Sequence, residues 1–434
     1  MKFVSTRDEA PEVTASEAIL KGLAPDGGLY VPEVLPRLTS GAMDPDLPYD
    51  ELAVQVLAPF FEEDGLSEEL PGLCSSAFSF PVELAPLNSR EMKNDGSRKR
   101  VLELFHGPTA AFKDFGARFL AAVMERLQEG REELIILVAT SGDTGGAVAS
   151  AFYDRKNLSV RVLFPEGRVS ERQQKQLTCW GGNVSSYAVH GTFDDCQRVV
   201  KQAFVSSDIA EKHRLSSANS INLGRLLPQA VYYVWASLRY ERETGEKPVV
   251  IVPSGNVGNS VGAYYARAMG APIERIVLAV NANKVIPDFI ESGEYSPRPS
   301  IRTLANAMDV GDPSNMERLR RLFPDIESFR RNVEAYSVSD DQIRETITRL
   351  HREYGYVSCP HTASGEWVRH HLYPQDPTIV AATAHPAKFD TIVEPLIGEE
   401  VPLPAPLLQL LEPEPQYATI DARVESLFPD VFGR

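Results

Sequence analysis

Three apolar runs in this chain each end in a turn of small and polar residues. Residues 133–139 lead into TSGDTGG (140–146), 249–252 into PSGNVGN (253–259), and 378–382 into TAHPAKF (383–389). Continuous apolar runs of this length are expected of strands buried on both faces, and such strands belong to parallel sheets covered by helices. Helical patterns follow the first two turns, over 147–153 and 261–269. Further strands at 160–164, 185–189 and 275–280 alternate with helices at 169–177 (Ser170 as cap), 193–205 and 221–240. This rhythm predicts an α/β fold with doubly wound, mostly parallel sheets.

The chain divides by texture. Residues 1–100 carry an Asp-Gly-Gly turn at 26–28, helical patterns near 49–60 and a polar stretch, 88–100, read as an exposed loop. They form an N-terminal α+β domain with no cluster that asks for catalysis. The α/β core spans 101–400, with a smaller subdomain over about 115–225 and a larger one over about 226–400. Residues 284–315 are rich in Pro, Ser, Gly and Asn, and two readings stand for them, a binding segment or lid and a surface insertion. A polar helix is expected at 340–353, and 401–434 form a C-terminal arm whose proline-rich start, 402–415, reads as irregular.

Charge and cysteine usage narrow the function. A formal net charge of −16 argues against nucleic acid and against anionic membrane surfaces, while leaving room for a locally basic pocket. The cysteines (Cys74, Cys179, Cys196 and Cys359) are widely spaced and form no CxxC pair, so neither a metal site nor a disulfide framework is expected. No run reaches the length of a membrane span and the N-terminus lacks a hydrophobic signal core, so the expected setting is cytoplasmic. Oligomeric state, monomer or homodimer, is not encoded legibly.

One lysine stands out. Lys113 lies between two aromatics in FHGPTAAFKDFGARFL (105–120), with Pro108 blocking a helix from upstream and a helical pattern beginning just after. A lysine in apolar surroundings at a helix N-terminus loses hydration and meets a positive dipole end, and both lower its pKa. Its free amine can then act as a base or form a Schiff base with an aldehyde. Taken alone, a solvated lysine at a turn is the commoner reading.

The three strand ends decide between these. Beyond the carboxyl ends of parallel strands is where ligands bind. Ser254, Gly255, Asn256, Val257, Gly258 and Asn259 pair two glycines with a following helix N-terminus, the makings of a phosphate cradle, though a plain tight turn looks the same in sequence. Neither a Walker A loop nor a dinucleotide fingerprint is present. Thr140, Ser141, Gly142, Asp143 and Thr144 suit a second anion such as a substrate carboxylate. The G-x-S-x-G elbow is missing around Ser141 and no histidine pairs with it at a recognisable position, which argues against the serine-hydrolase reading. Thr383 can offer a hydroxyl to a ring nitrogen. An aldehyde on Lys113, a phosphate on residues 254–259 and a pyridine nitrogen at Thr383 together describe pyridoxal phosphate.

Those residues, with GLAPDGGLYVP (22–32), ATSGDTGGA (139–147), GTFDDCQ (191–197), SANSIN (217–222) and LANAMDVGDPSN (304–315), resemble the threonine synthase family. The blocks span nearly the whole chain in the family's order. The resemblance implies a fold type II pyridoxal-phosphate enzyme, tryptophan synthase β-like, converting O-phospho-L-homoserine and water to L-threonine and phosphate. It implies that Lys113 holds the cofactor and then moves protons between Cα, Cβ and Cγ, with water added at Cβ. Thr383 would be a neutral partner for the pyridine nitrogen. Asp143 is awkward beside an anion, and His106, Asn219 and Arg225 are candidates for the substrate phosphate. Rival outcomes on the same scaffold are a phospho-lyase and a serine or threonine dehydratase; from another class stand a silent ligand-binding relative, opposed by an intact Lys113, and a plain nucleotide-binding protein.

Overall fold

The computed structural model describes residues 1–38, 44–89 and 98–433. Most of the polar stretch expected as a loop at 88–100 lies outside the described residues. Two mostly parallel sheets carry the core. Strands β1 (Phe3–Ser5) and β2 (Tyr30–Pro32) form a small antiparallel pair near the N-terminus. The larger sheet contains β3 (Glu83–Pro86), β4 (Lys99–Glu103), β9 (Val249–Pro253), β10 (Arg275–Val280), β11 (Glu334–Ser337) and β12 (Thr378–Ala382), in the order β11-β10-β9-β12-β4-β3. Only β3 runs antiparallel in it. The smaller sheet has β5 (Leu134–Ala139), β6 (Leu158–Pro165), β7 (Val184–His190), β8 (Arg214–Ser217) and β13 (Ala418–Asp421), all parallel, in the order β13-β7-β6-β5-β8.

Every residue of β5, β9 and β12 is buried, as two-sided coverage requires. The covering helices start where side chains supply caps. Ser170 and Thr192 each accept from the backbone three residues on, in capping boxes that open Glu171–Thr178 and Phe193–Val205. Helices Lys113–Leu127 and Leu223–Thr244 belong to the main core, and the N-terminal region packs onto them through rings. Tyr49 meets Phe78, Phe115 and Trp235 edge-on at 5.5, 5.6 and 6.3 Å.

Three expectations change. Helix Val285–Ser292 occupies the first part of the segment read as an uninterrupted loop at 284–315. Its Val285, Ile286 and Phe289 are buried, a short apolar face that surrounding prolines obscure in sequence. The C-terminal arm is not irregular: helix Ala405–Leu411 forms within the proline-rich stretch, and β13 extends the smaller sheet alongside β7. Finally, β3 gives the N-terminal region a strand in the larger sheet.

Candidate functional site

Lys113 is the first residue of helix Lys113–Leu127. The segment before it is stitched to the end of β12. Phe112 N–H donates to the Thr383 carbonyl at 2.9 Å, His385 N–H to the Ala110 carbonyl at 3.0 Å, and Ala111 bridges Ala384. Thr383 and Lys113 are therefore held together by backbone pairing, which side-chain substitution cannot easily undo. Asp114 stiffens the turn from within, accepting from the Thr109 N–H at 2.9 Å and the Thr109 hydroxyl at 2.7 Å.

The half-buried Lys113 side chain makes no hydrogen bond among the described residues, and its Nζ lies 5.9 Å from the Phe112 ring centroid. Burial lowers its pKa to about 8; nearby Lys388 and Arg225 push the same way, while Asp143 opposes. Asp143 lies at the start of helix Asp143–Phe152, behind β5. Burial alone would raise its carboxyl, but Lys388 and Lys113 outweigh that and hold it well below the usual carboxylate range. Lys388 Nζ contacts Asp143 Oδ1 at 2.9 Å, with both side chains almost wholly buried. The same ammonium donates to the Thr109 carbonyl at 2.9 Å, tying the third strand end to the lysine loop. Asp143 thus has a partner of its own within the loop's environment.

The loop at 140–144 is self-supporting. The Thr140 hydroxyl accepts from the Gly142 and Gly145 N–H groups at 3.0 and 2.9 Å. Gly142 has φ +140°, open to glycine, and a Cβ there would lie 2.7 Å from the Gln173 side chain. Ser141 and Thr144 are half-buried and make no side-chain hydrogen bond among the described residues.

Beyond β9, Val257 sits at φ +64°, a left-handed conformation uncommon for a β-branched residue, at the N-cap of helix Gly258–Met269. That bend turns the first N–H groups of the helix into a concavity suited to an anion. Gly255 lets the 306–308 turn approach: a Cβ would stand 2.6 Å from Met308 Cα. Asn256 Oδ1 accepts from the Ser314 N–H and hydroxyl, while the Ser254 hydroxyl donates to the Val252 carbonyl at 2.8 Å. Asn259 Nδ2 is buried without a partner.

The remaining sequence candidates fall as follows. Arg225 is buried, its Nη1 donating to the Ala218 carbonyl at 2.5 Å and its Nε unpartnered. Burial brings its pKa down to about 10, with Asp114 opposing. Asn219 Oδ1 is likewise buried and unpartnered. His106 Nε2 lies 2.9 Å from Glu103, and that hydrogen bond raises its pKa. Reasoning from sequence missed His361, in helix Pro360–Leu372. Burial lowers its pKa to about 4, Asp143 opposing while Lys113 and Lys388 assist, so it is neutral; its Nε2 accepts from the Ala307 N–H at 3.1 Å. No motif surrounds it; only the charges of Asp143, Lys113 and Lys388 acting on it through space reveal it. Lys388 was visible in TAHPAKF, but its pairing with Asp143 was not.

These residues fit pyridoxal phosphate. A half-buried amine with no side-chain hydrogen bond among the described residues, a left-handed helix entry with an unpartnered amide donor, and a strand-end Thr383 likewise without a side-chain hydrogen bond match its aldehyde, phosphate and ring nitrogen. Comparison with known proteins points the same way. A family model for pyridoxal-phosphate dependent enzymes matches residues 100–365. Models for the threonine synthase N terminus and C-terminal regions match 2–78 and 361–427. Threonine synthase of Serratia marcescens is 39% identical over 410 residues, covering 94% of this chain and 93% of its own. The crystal structure of threonine synthase from Escherichia coli superposes with a TM-score of 0.89 at 36% identity over 100% of both chains. A pyridoxal-phosphate-bound threonine synthase from Brucella melitensis gives 0.89 at 35%, covering 99% of this chain and 98% of its own.

Proposed function

The chain belongs to the threonine synthase family, and from that premise we propose how its own residues divide the work. The reaction is a pyridoxal-phosphate-dependent conversion of O-phospho-L-homoserine and water to L-threonine and phosphate. Pyridoxal phosphate, when bound, supplies an aldehyde for amines and a conjugated ring that withdraws electrons from the substrate carbons.

Lys113 is the proton carrier. With a pKa of about 8 its amine is neutral in a useful fraction of molecules near neutral pH, so it can take a proton from Cα and return protons along the chain of carbons. Residues 254–259 hold the cofactor phosphate through backbone N–H groups and the Asn259 amide. Thr383 would offer the ring nitrogen a neutral hydroxyl, leaving that nitrogen without a carboxylate counter-charge. The loop Thr140–Thr144 takes the substrate carboxylate, and Lys388 makes this tolerable by satisfying Asp143. Arg225, whose buried Nε is a donor without a partner, together with Asn219 and His106, are our candidates for the substrate phosphate. The observation that carries the reading is the half-buried amine of Lys113, without a side-chain hydrogen bond among the described residues, beside the end of β12.

The same reading divides the chain into an N-terminal domain over 1–100, a core over 101–400 and a C-terminal arm over 401–434; the two separate, mostly parallel sheets support the subdivision of the core. No helix among the described residues is long and apolar enough to cross a membrane, and we assign the enzyme to the cytoplasm, acting on a small molecule. The test is incubation of the purified protein with pyridoxal phosphate and O-phospho-L-homoserine, with borohydride trapping of the unreacted enzyme in parallel. Equal amounts of threonine and phosphate, and a reduced pyridoxyl group mapped to Lys113, are expected. A keto acid with ammonia would move the activity to a lyase, and a label elsewhere would remove Lys113 from its role.

A further inference from the structure

The side chain of Asn259 is oriented from behind by two consecutive tyrosines. Its Oδ1 accepts from the Tyr232 hydroxyl at 2.6 Å and from the Tyr233 hydroxyl at 2.8 Å. Neighbours on a helix ordinarily point about 100° apart. Here their rings meet edge to face with centroids 4.8 Å apart, and both hydroxyls converge on one oxygen. Burial drives both phenols well above their ordinary pKa, so each keeps its proton and donates it.

Asn259 Oδ1 is the sole side-chain acceptor for Tyr233 among the described residues. Rotating the amide by half a turn would present NH₂ to that phenol and leave its buried proton unsatisfied, a costly state. Tyr232 also lies 3.3 Å from Gln229 Oε1, and Gln229 is itself fixed because its Nε2 donates to the Arg225 carbonyl at 2.7 Å. An alternative acceptor therefore exists for Tyr232 and not for Tyr233. The outcome is an amide whose oxygen is spoken for and whose Nδ2 is buried with no protein partner.

We propose that Tyr232 and Tyr233, with Tyr233 dominant, are positioning residues that lock the Asn259 amide so that its NH₂ donates to the cofactor phosphate. The proposal rests on residues 254–259 being the phosphate cradle. Without the lock, the amide can turn its carbonyl oxygen toward the phosphate and convert a donor into a repulsive contact. Neither tyrosine touches the ligand, so the effect must read out as selectivity for the phosphate group and not as general loss of binding.

The experiment uses the full chain freed of cofactor and titrated by absorbance with pyridoxal phosphate and, separately, with pyridoxal, which keeps the aldehyde and ring but lacks the phosphate. Variants are Tyr233→Phe, Tyr232→Phe, Asn259→Ala and the double Tyr233→Phe/Asn259→Ala. Tyr233→Phe should weaken pyridoxal phosphate roughly tenfold, the scale of one charge-assisted hydrogen bond, and leave pyridoxal unchanged. Tyr232→Phe should do the same to a smaller extent, and it serves alone should Tyr233→Phe fold poorly. The double variant should be no weaker than Asn259→Ala, because the tyrosine acts only through the asparagine. If Asn259→Ala weakens both ligands alike, the cradle reading fails. If Asn259→Ala is selective while both tyrosine variants bind like the parent, or weaken both ligands equally, the positioning role is overturned and the cradle stands.

Discussion

Replacing Lys113 with methionine should stabilise the cofactor-free protein at neutral pH, and the gain should vanish in alkali. Burial brings the Lys113 ammonium from an ordinary value of 10.5 to about 8. That interval, at about 1.36 kcal/mol per pH unit, corresponds to about 3 kcal/mol by which the folded state disfavours the charged form. The sign follows from proton binding. Between pH 8 and 10.5 the unfolded chain holds this proton and the folded chain has released it, so stability rises with pH across that window. Below pH 8 the folded chain carries the buried charge and bears the full cost. Methionine has similar length, no titration and no charge to desolvate. Asp143 retains Lys388 at 2.9 Å in the variant, so a new unpaired charge is not created. Equilibrium urea unfolding at half-unit steps from pH 7 to 10.5 measures the difference between variant and parent, in which all shared titrations cancel. The expected curve is flat at about 3 kcal/mol in favour of methionine up to pH 8 and falls toward zero by about 10.5. A difference independent of pH would refute the argument, since it would mean that the lysine is solvated in the folded protein.

Other consequences are as direct. Lys388→Met strands the Asp143 carboxylate in the interior and should cost about 3–5 kcal/mol in urea unfolding, most of which Lys388→Met/Asp143→Asn should restore. Gly255→Ala would put a Cβ 2.6 Å from Met308 Cα, so it should speed cofactor loss on dialysis, followed by absorbance, more than it lowers the unfolding midpoint. Arg318 is fully buried and donates to the carbonyls of Tyr30 and Ile221 and to Asn315 Oδ1 at 2.9, 2.7 and 2.6 Å. Arg318→Met should therefore destabilise by about 3 kcal/mol, visible as a lower urea midpoint, by leaving those acceptors dry.

What the sequence discloses is local. The Phe193–Val205 helix is legible to the residue because Thr192 and Asp195 form a capping box and apolar side chains recur at helical spacing behind it. The strand ends are legible because two-sided burial demands an unbroken apolar run and the turn behind it demands small residues. Helix Pro360–Leu372 escapes the same test, since nine of its residues are buried and its polar members, among them His361, Thr362, Ser364 and Glu366, face inward with the rest. An amphipathic pattern needs an exposed face, and this helix scarcely has one. The Lys388–Asp143 pair escapes for a different reason: the attraction acts through space between helical turns that follow strands of different sheets, and nothing in the intervening chain records it.

The arrangement of charge explains why the site relies so heavily on neutral donors. A chain of net charge −16 must admit a cofactor and a substrate that each carry a phosphate. Free buried cations would attract them, but an isolated buried charge costs several kcal/mol before any ligand arrives. The buried cations around Lys113 accordingly have company: Lys388 is paired with Asp143, and Arg225 lies within the field of Asp114. Lys113 itself sheds the cost only as it gives up its proton above about pH 8. What we propose for the cofactor phosphate is dipolar. Helix N-termini and amide groups carry partial positive charge with no net charge to desolvate, so they can wait in an empty interior cheaply. Their strength depends on aim instead of on charge. That is why a glycine at 255, a strained valine at 257 and an asparagine fixed by two phenols at 259 sit together on six consecutive residues, 254–259.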